Sequence, residues 1–222
     1  MTVTQPGASP HASGYCDYSN PASITLIVGQ GSSGKTTFGF RYLLNGNFAC
    51  RFIFDDRGQA ADRLKLRAAG TAVQCEEALA SRWVCFNPHV MFPGDKLKAG
   101  FRWFCQWAFD CSKRGPGQKV LYVDELWQWS DHLSIPPQLE NVARTGRVHG
   151  LELVTATHSP RDYHRDLRRL VTEWVCFNVV EPADLDAIRP YYSGVDRCAQ
   201  LPKGSFLAYS RESGAQLAGK LF

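Results

Sequence analysis

Residues 23–40 read SITLIVGQGSSGKTTFGF, and this stretch decides the fold. SITLIV (23–28) is a short apolar, β-branched run of the kind that forms a strand buried on both faces of a parallel sheet. Gly29-Gln30-Gly31-Ser32-Ser33-Gly34-Lys35-Thr36 then satisfies GxxxxGK[ST], and TTFGFRYLL (36–44) reads as the helix that the loop opens. Each residue type has a task in that order. Gly29, Gly31 and Gly34 let the backbone turn its N–H groups inward, with Ser32 and Ser33 between them. The helix start adds a partial positive charge, and Lys35 carries a full one to the β- and γ-phosphates. The Thr36 hydroxyl suits a Mg²⁺ ion, and Thr37 follows in the same turn. The expected ligands are ATP and Mg²⁺.

Outward from the loop, strands and helices alternate. Strands are predicted at RFIFDD (51–56), RWVCFN (82–87), KVLYVDEL (119–126), LELVTAT (151–157) and TEWVCFNVV (172–180). Helices are predicted at AADRLKLRAAG (60–70), from about 95 to 113, at IPPQLENVARTGRVHG (135–150), PRDYHRDLRRL (160–170) and EPADLDAIRPY (181–191). In the second of these, Leu97, Phe101, Phe104, Trp107 and Ala108 recur at helical spacing, as a face packed on a sheet does. The end of the chain alternates like a β-hairpin around Glu212-Ser213-Gly214. The expected fold is α/β, a three-layer P-loop NTPase of RecA/ASCE-like kind, with a mostly parallel central sheet and a C-terminal β-hairpin.

A second acidic element follows. Val120-Leu121-Tyr122-Val123-Asp124-Glu125 is an apolar strand ending in two carboxylates, the pattern of a Walker B element. Asp124 would join Thr36 around Mg²⁺, and Glu125 would polarise the water that attacks the γ-phosphate. This adjacent glutamate favours hydrolysis over transfer of phosphate to a metabolite, and the chain has no LSGGQ-like signature of a transporter ATPase. In such a sheet the loops beyond the strands' carboxyl ends converge on the nucleotide. Thr157 and His158 end the strand after Walker B, so both are candidate sensors of the γ-phosphate.

GQGSSGKTT, FIFDDRG, LYVDEL and TGRVHGLELVTATHSPRDYHRDLRRLVTEWVCF together resemble the FtsK–HerA superfamily of P-loop ATPases, over roughly residues 23–180. Within it the chain is similar to the genome-packaging ATPases of tailless, membrane-containing icosahedral viruses. Members usually carry glutamine where this chain has His158. The resemblance implies a homo-oligomeric ring, commonly a hexamer, that moves double-stranded DNA at the expense of ATP. It also implies capsid or viral membrane vertex partners and a place in the host cytoplasm or at the virion vertex. Ring ATPases complete each site with an arginine from the neighbouring subunit. Arg144, Arg147, Arg168 and Arg169 are candidates, and Arg147 and Arg168 match the family's positions best. Arg161 and Arg165 share a short helix with Asp162 and Asp166, so local ion pairing is expected of them.

The remaining features narrow the setting. The chain has 222 residues and a net charge of +4, which permits a polyanionic partner without demanding one. Lys113, Arg114 and Lys119 flank a Gly-Pro-Gly turn and are candidates for contacting a phosphate backbone or a partner. Trp127 and Trp129 suit packing in the core or at an interface. The eight cysteines form no CxxC pair, and several sit in apolar runs, as expected of reduced, buried thiols in a cytoplasmic protein. Residues 1–20, rich in Pro, Ser, Gly and Thr, read as a flexible arm and not a signal peptide, with one ATPase domain over 21–222. No membrane-spanning segment is expected. Two other readings fit parts of the pattern: a filamentous-phage morphogenesis ATPase of zonula-occludens-toxin type, and a small-molecule kinase.

Overall fold

The computed structural model describes residues 23–130 and 133–222, so the expected arm at 1–20 lies outside the described residues. In chain order the elements are β1 (Ile24–Val28), α1 (Lys35–Asn45), β2 (Cys50–Phe54), α2 (Gln59–Leu64), β3 (Ala68–Ala69), α3 (Ala72–Ala78), β4 (Trp83–Phe86) and α4 (Leu97–Ser112). These are followed by β5 (Lys119–Val123), α5 (Pro137–Thr145), β6 (Leu151–Thr157), α6 (Arg165–Leu170), β7 (Glu173–Cys176), α7 (Pro182–Ile188), β8 (Ser205–Ser210) and β9 (Gln216–Lys220). They build one nine-stranded sheet in the order β3-β4-β2-β5-β6-β1-β7-β8-β9. The pairs from β3 through β7 are parallel, while β7–β8 and β8–β9 are antiparallel. The expected mostly parallel sheet with a C-terminal hairpin is therefore what the chain forms.

Every residue of β1, β2, β5, β6 and β7 is buried, because helices or the hairpin cover both faces. On one face, Leu26, Val28, Phe52, Phe54, Leu121 and Val123 meet Phe101, Phe104, Ala108, Leu139 and Leu167 of α4, α5 and α6. On the other, Ile27, Ile53, Tyr122 and Val154 meet Phe38 and Leu43 of α1, with Phe206 and Ala208 of the hairpin. The aromatic stripe of α4 packs as its spacing predicts: Phe54 lies edge-on to Phe101 with centroids 5.3 Å apart, and Phe104 stacks on Phe86 at 5.0 Å. Trp129 joins this cluster 4.9 Å from Phe54. The seven described cysteines are all free and buried, and burial pushes the Cys50 thiol up to about 11 and the Cys75 thiol up to about 12. Among the described residues no helix is long and apolar enough to cross a membrane.

Three sequence expectations change. The predicted helix over 60–70 stops at Leu64, because Lys65 turns left-handed (φ 55°) and donates its N–H back to Asp62. The chain then adds the edge strand β3 and the extra helix α3, which Thr71 caps by accepting from Gln74 N at 3.2 Å. The predicted helix over 160–170 is broken into a single 3₁₀ turn (Pro160–Asp162) and α6, whose start His164 caps.

One buried acid has a measurable consequence. Glu152, in β6, is fully buried and accepts hydrogen bonds from the Tyr42 hydroxyl, Thr25 Oγ1 (3.4 Å) and Gln118 Nε2 (3.0 Å). Burial outweighs those donors and pushes its carboxyl up to about 7. A carboxyl raised on folding adds stability that is intact below its unfolded pKa of 4.5 and is lost as pH rises through about 7. That loss is on the order of 3 kcal/mol. Glu152→Gln should therefore flatten the pH dependence, with the melting temperature of the variant gaining on that of the parent between pH 5 and 8. Parallel melting curves across that range would refute the assignment.

Candidate active site

The loop after β1 holds the shape that its glycines permit. Gly29 (φ 153°), Ser32 (φ 58°) and Gly34 (φ 118°) all have positive φ. A Cβ at Gly34 would meet Leu221 Cδ1 at 2.8 Å and Phe177 Cε1 at 3.1 Å, so only glycine fits between the loop and the strands behind it. Around Gly31 there is open space. The loop is anchored from two sides, by Gln30 N donating to Asn178 O (2.9 Å) and by Gly204 N donating to Ser33 O (3.2 Å). Arg41 adds a bond to Leu221 O at 2.7 Å. The C-terminal hairpin thus buttresses the loop.

Lys35 is buried, and its Nζ donates to Gly29 O (2.8 Å) and Gln30 O (2.9 Å). Burial lowers its pKa, and the neighbouring Glu125 and Asp124 carboxylates oppose that shift. Thr36 Oγ1 donates to Asp124 Oδ2 at 2.8 Å, which brings the two expected metal ligands together across 88 residues. Burial raises the Asp124 pKa, with the Thr36 hydrogen bond pulling the other way. Two further observations fit a polyphosphate here: Ser33 Oγ is buried with no hydrogen-bond partner, and the hydrogen bonds of the Lys35 ammonium go to carbonyl oxygens, with the Glu125 and Asp124 carboxylates acting on it only at longer range. Among the described residues no group of three or more His, Cys, Asp or Glu is placed to hold a metal. A Mg²⁺ held by Thr36 and Asp124 would accordingly complete its shell from phosphate oxygens and water, polarising the phosphate.

Glu125 stands one residue on, in a left-handed conformation (φ 49°), with its N–H donating to Asp124 Oδ1 at 3.1 Å. Its Oε2 is held twice, by Trp127 Nε1 at 2.8 Å and by His158 Nδ1 at 2.9 Å. The indole and imidazole meet edge to face with centroids 5.3 Å apart. Both donors act on one oxygen, Oε2. The expected meeting of Glu125 and His158 is present. Thr157 does not join them: it is fully buried, and its hydroxyl bonds to the Ser159 backbone, accepting from N (3.2 Å) and donating to O (3.3 Å). Side chains alternate along a strand, so the last strand residue turns into the sheet and the next turns out. Thr37, in the first turn of α1, accepts from Arg63 Nη2 at 2.9 Å.

An open cleft of about 810 Å³ lies beside the loop, between Gln30, Gly31, Glu125, His158, Arg161 and Asp184. Arg161 was expected to pair within its own helix. Its Nε instead lies 3.9 Å from Asp184 of α7, and Asp166 pairs with Arg169 (3.4 Å), not with Arg165. Trp127 and Arg161 are the site residues that sequence reasoning passed over. Arg57 also reaches this region, in the FDDRG turn beside Asp124 and Glu125.

The remaining arginines stand apart from the loop. Arg147 is at the amino end of β6, exposed, and pairs with Glu212 of the hairpin turn at 3.3 Å. Arg144 pairs with Glu140 at 2.7 Å. Arg168 is half-buried, donating to Pro160 O at 3.3 Å, and burial lowers its pKa. Neither Arg147 nor Arg168 touches the phosphate loop of its own chain. Lys119 is also corrected: it is buried, with Nζ donating to Gly115 O and His149 O, so it is a structural cation at the base of the turn.

The strand order, the glycine loop that opens α1 and the Asp-Glu pair just after β5 define a P-loop NTPase fold. No protein-family model matches the chain, and no curated protein matches its sequence. Among solved structures, the genome packaging NTPase B204 from Sulfolobus turreted icosahedral virus 2 in complex with ATP-gammaS matches with a TM-score of 0.73 at 20% identity, over 90% of this chain and 98% of that one. VirB4 of Thermoanaerobacter pseudethanolicus matches with a TM-score of 0.65 at 12% identity, over 90% of each chain. ATPases 2 and 3 of Thermomonospora curvata EccC match with a TM-score of 0.55 at 13% identity, over 91% of this chain and 37% of that one. At these identities the likeness is one of fold.

Proposed function

We propose that this chain is an ATP-hydrolysing translocase that drives viral double-stranded DNA into a preformed capsid, acting as a homo-oligomeric ring, a hexamer, in the host cytoplasm or at the virion vertex. One observation carries the reading. Thr36, Asp124, Glu125 and His158 come from three strand ends and close on the phosphate loop in a chain whose fold runs the length of a genome-packaging NTPase. The site's chemistry is hydrolysis. The loop and Lys35 bind the phosphates of ATP, Glu125 takes the proton of the attacking water, and His158 with Trp127 orients that carboxylate. Mg²⁺ would sit on Thr36 and Asp124.

Arg161 and Arg57 approach the open side of the site, and the charge that develops on the departing phosphate calls for a further cation. A neighbouring subunit would supply it, and Arg147 is the better candidate of the two because it is exposed, while Arg168 is half-buried. Capsid or membrane vertex proteins would be the ring's docking partners.

Phosphate release by assembled rings, with and without duplex DNA, tests the proposal. DNA should stimulate hydrolysis severalfold. Equal rates with and without DNA would exclude a translocase, and transfer of phosphate to a small molecule in place of release would indicate a kinase.

A further inference from the structure

At the amino ends of the strands, opposite the phosphate loop, an open cleft of about 750 Å³ lies between the α1–β2 loop, the Gly115–Gln118 turn and the residues leading into β6. Arg82, Lys113, Lys119 and His149 line it, and no carboxylate does. Beneath it lie two buried cations with unusual partners. Arg51 donates to Leu43 O (2.7 Å), Phe48 O (3.2 Å) and Gly46 O (2.6 Å), and stacks its guanidinium 4.3 Å from the Trp83 ring centre. Lys119 donates to Gly115 O and His149 O. Carbonyl dipoles solvate a cation without cancelling its charge, so both contribute positive potential to the cleft above them. Of the nearby acids, Glu76 pairs with Arg114 (3.0 Å) and Glu152 is held by Tyr42, Thr25 and Gln118, while Asp110 pairs with Lys113 (2.7 Å) and offsets part of its charge. Arg82 is exposed and has no carboxylate partner among the described residues.

We propose that this cleft docks the phosphodiester backbone of duplex DNA. The inference rests on the translocase reading and adds to it the surface that grips the substrate. Two engineered signs separate the cation from the shape of the cleft. Arg82→Gln with Lys113→Gln removes exposed charge while leaving the structural pair Arg51 and Lys119 in place. Asn47→Glu, at an exposed lining position, adds a repelling charge.

The measurement is anisotropy of a labelled duplex with the full chain across a salt series. The double variant should bind at least about tenfold more weakly at physiological salt, and its plot of log affinity against log salt should be shallower by about 2. Asn47→Glu should weaken binding likewise, and the affinity of both for ATPγS should be unchanged. If the parent binds duplex DNA and both variants bind it equally well with the same salt slope, the cleft is not the docking surface and the translocase reading stands. If the parent does not bind duplex DNA, the translocase reading itself falls, and this inference with it. Unchanged DNA affinity with lost self-association in sedimentation would assign the cleft to an acidic face of a second copy and overturn the proposal.

Discussion

Replacing Glu125 with glutamine is expected to lower ATP turnover by about 10²–10⁴-fold while leaving nucleotide affinity unchanged. Glutamine keeps the shape of the side chain and retains an amide oxygen for the Trp127 indole, which now donates at 2.8 Å. What it loses is the capacity to take a proton from water. The proposed phosphate grip lies elsewhere, in the loop, Lys35 and the Thr36–Asp124 pair, so binding should be spared. Single-turnover phosphate release and titration with a labelled nucleotide separate the two effects. Turnover within a few-fold of the parent would remove Glu125 from the chemistry and leave the His158–Trp127 clamp without a purpose.

Lys35→Ala should act on the other half of the cycle. The parent keeps an ammonium buried against Gly29 O and Gln30 O, where burial already lowers its pKa. A triphosphate offers that cation full negative charge in place of two carbonyls. Charge-assisted hydrogen bonds contribute about 1.5–3 kcal/mol each, so losing two weakens ATP binding by roughly 10²–10⁴-fold. Hydrolysis should fall below detection. The protein without nucleotide should melt near the parent temperature, because the alanine also removes a poorly solvated charge. Thermal denaturation with and without ATPγS is the check: the nucleotide-induced rise in melting temperature should vanish in the variant. A rise equal to the parent's would show that the loop binds phosphate without Lys35.

What was legible in the sequence was what the chain writes contiguously. The phosphate loop and Val120–Glu125 each hold their proposed roles in neighbouring residues, and strand ends in a parallel sheet converge by geometry, so the meeting of Glu125 with His158 followed. The edge strand Ala68–Ala69 was not legible, since two alanines carry no strand signal. The helix after it did leave one: Thr71 and Gln74 stand three apart as in a capping box, with Gln74 Oε1 accepting from Gly70 N at 2.7 Å. Trp127 was missed because its bond to Glu125 depends on a left-handed turn at Glu125, which no periodicity announces. Arg161 was assigned to Asp162 or Asp166 by spacing along one helix. A break at Tyr163 and the arrival of Asp184 from α7 decided otherwise. Thr157 and Lys119 were read as reaching outward, yet strand alternation and strand-end burial turn both inward.

The hairpin behind the phosphate loop also sets an order of events during synthesis. Residues 29–34 leave the ribosome well before Gly204 and Leu221, which bear on them. A chain stalled before Ser205 would hold the sequence of the loop without the strands that keep it in shape. The loop therefore takes its shape only once β8 and β9 have emerged, and under the proposed function nucleotide binding should follow them.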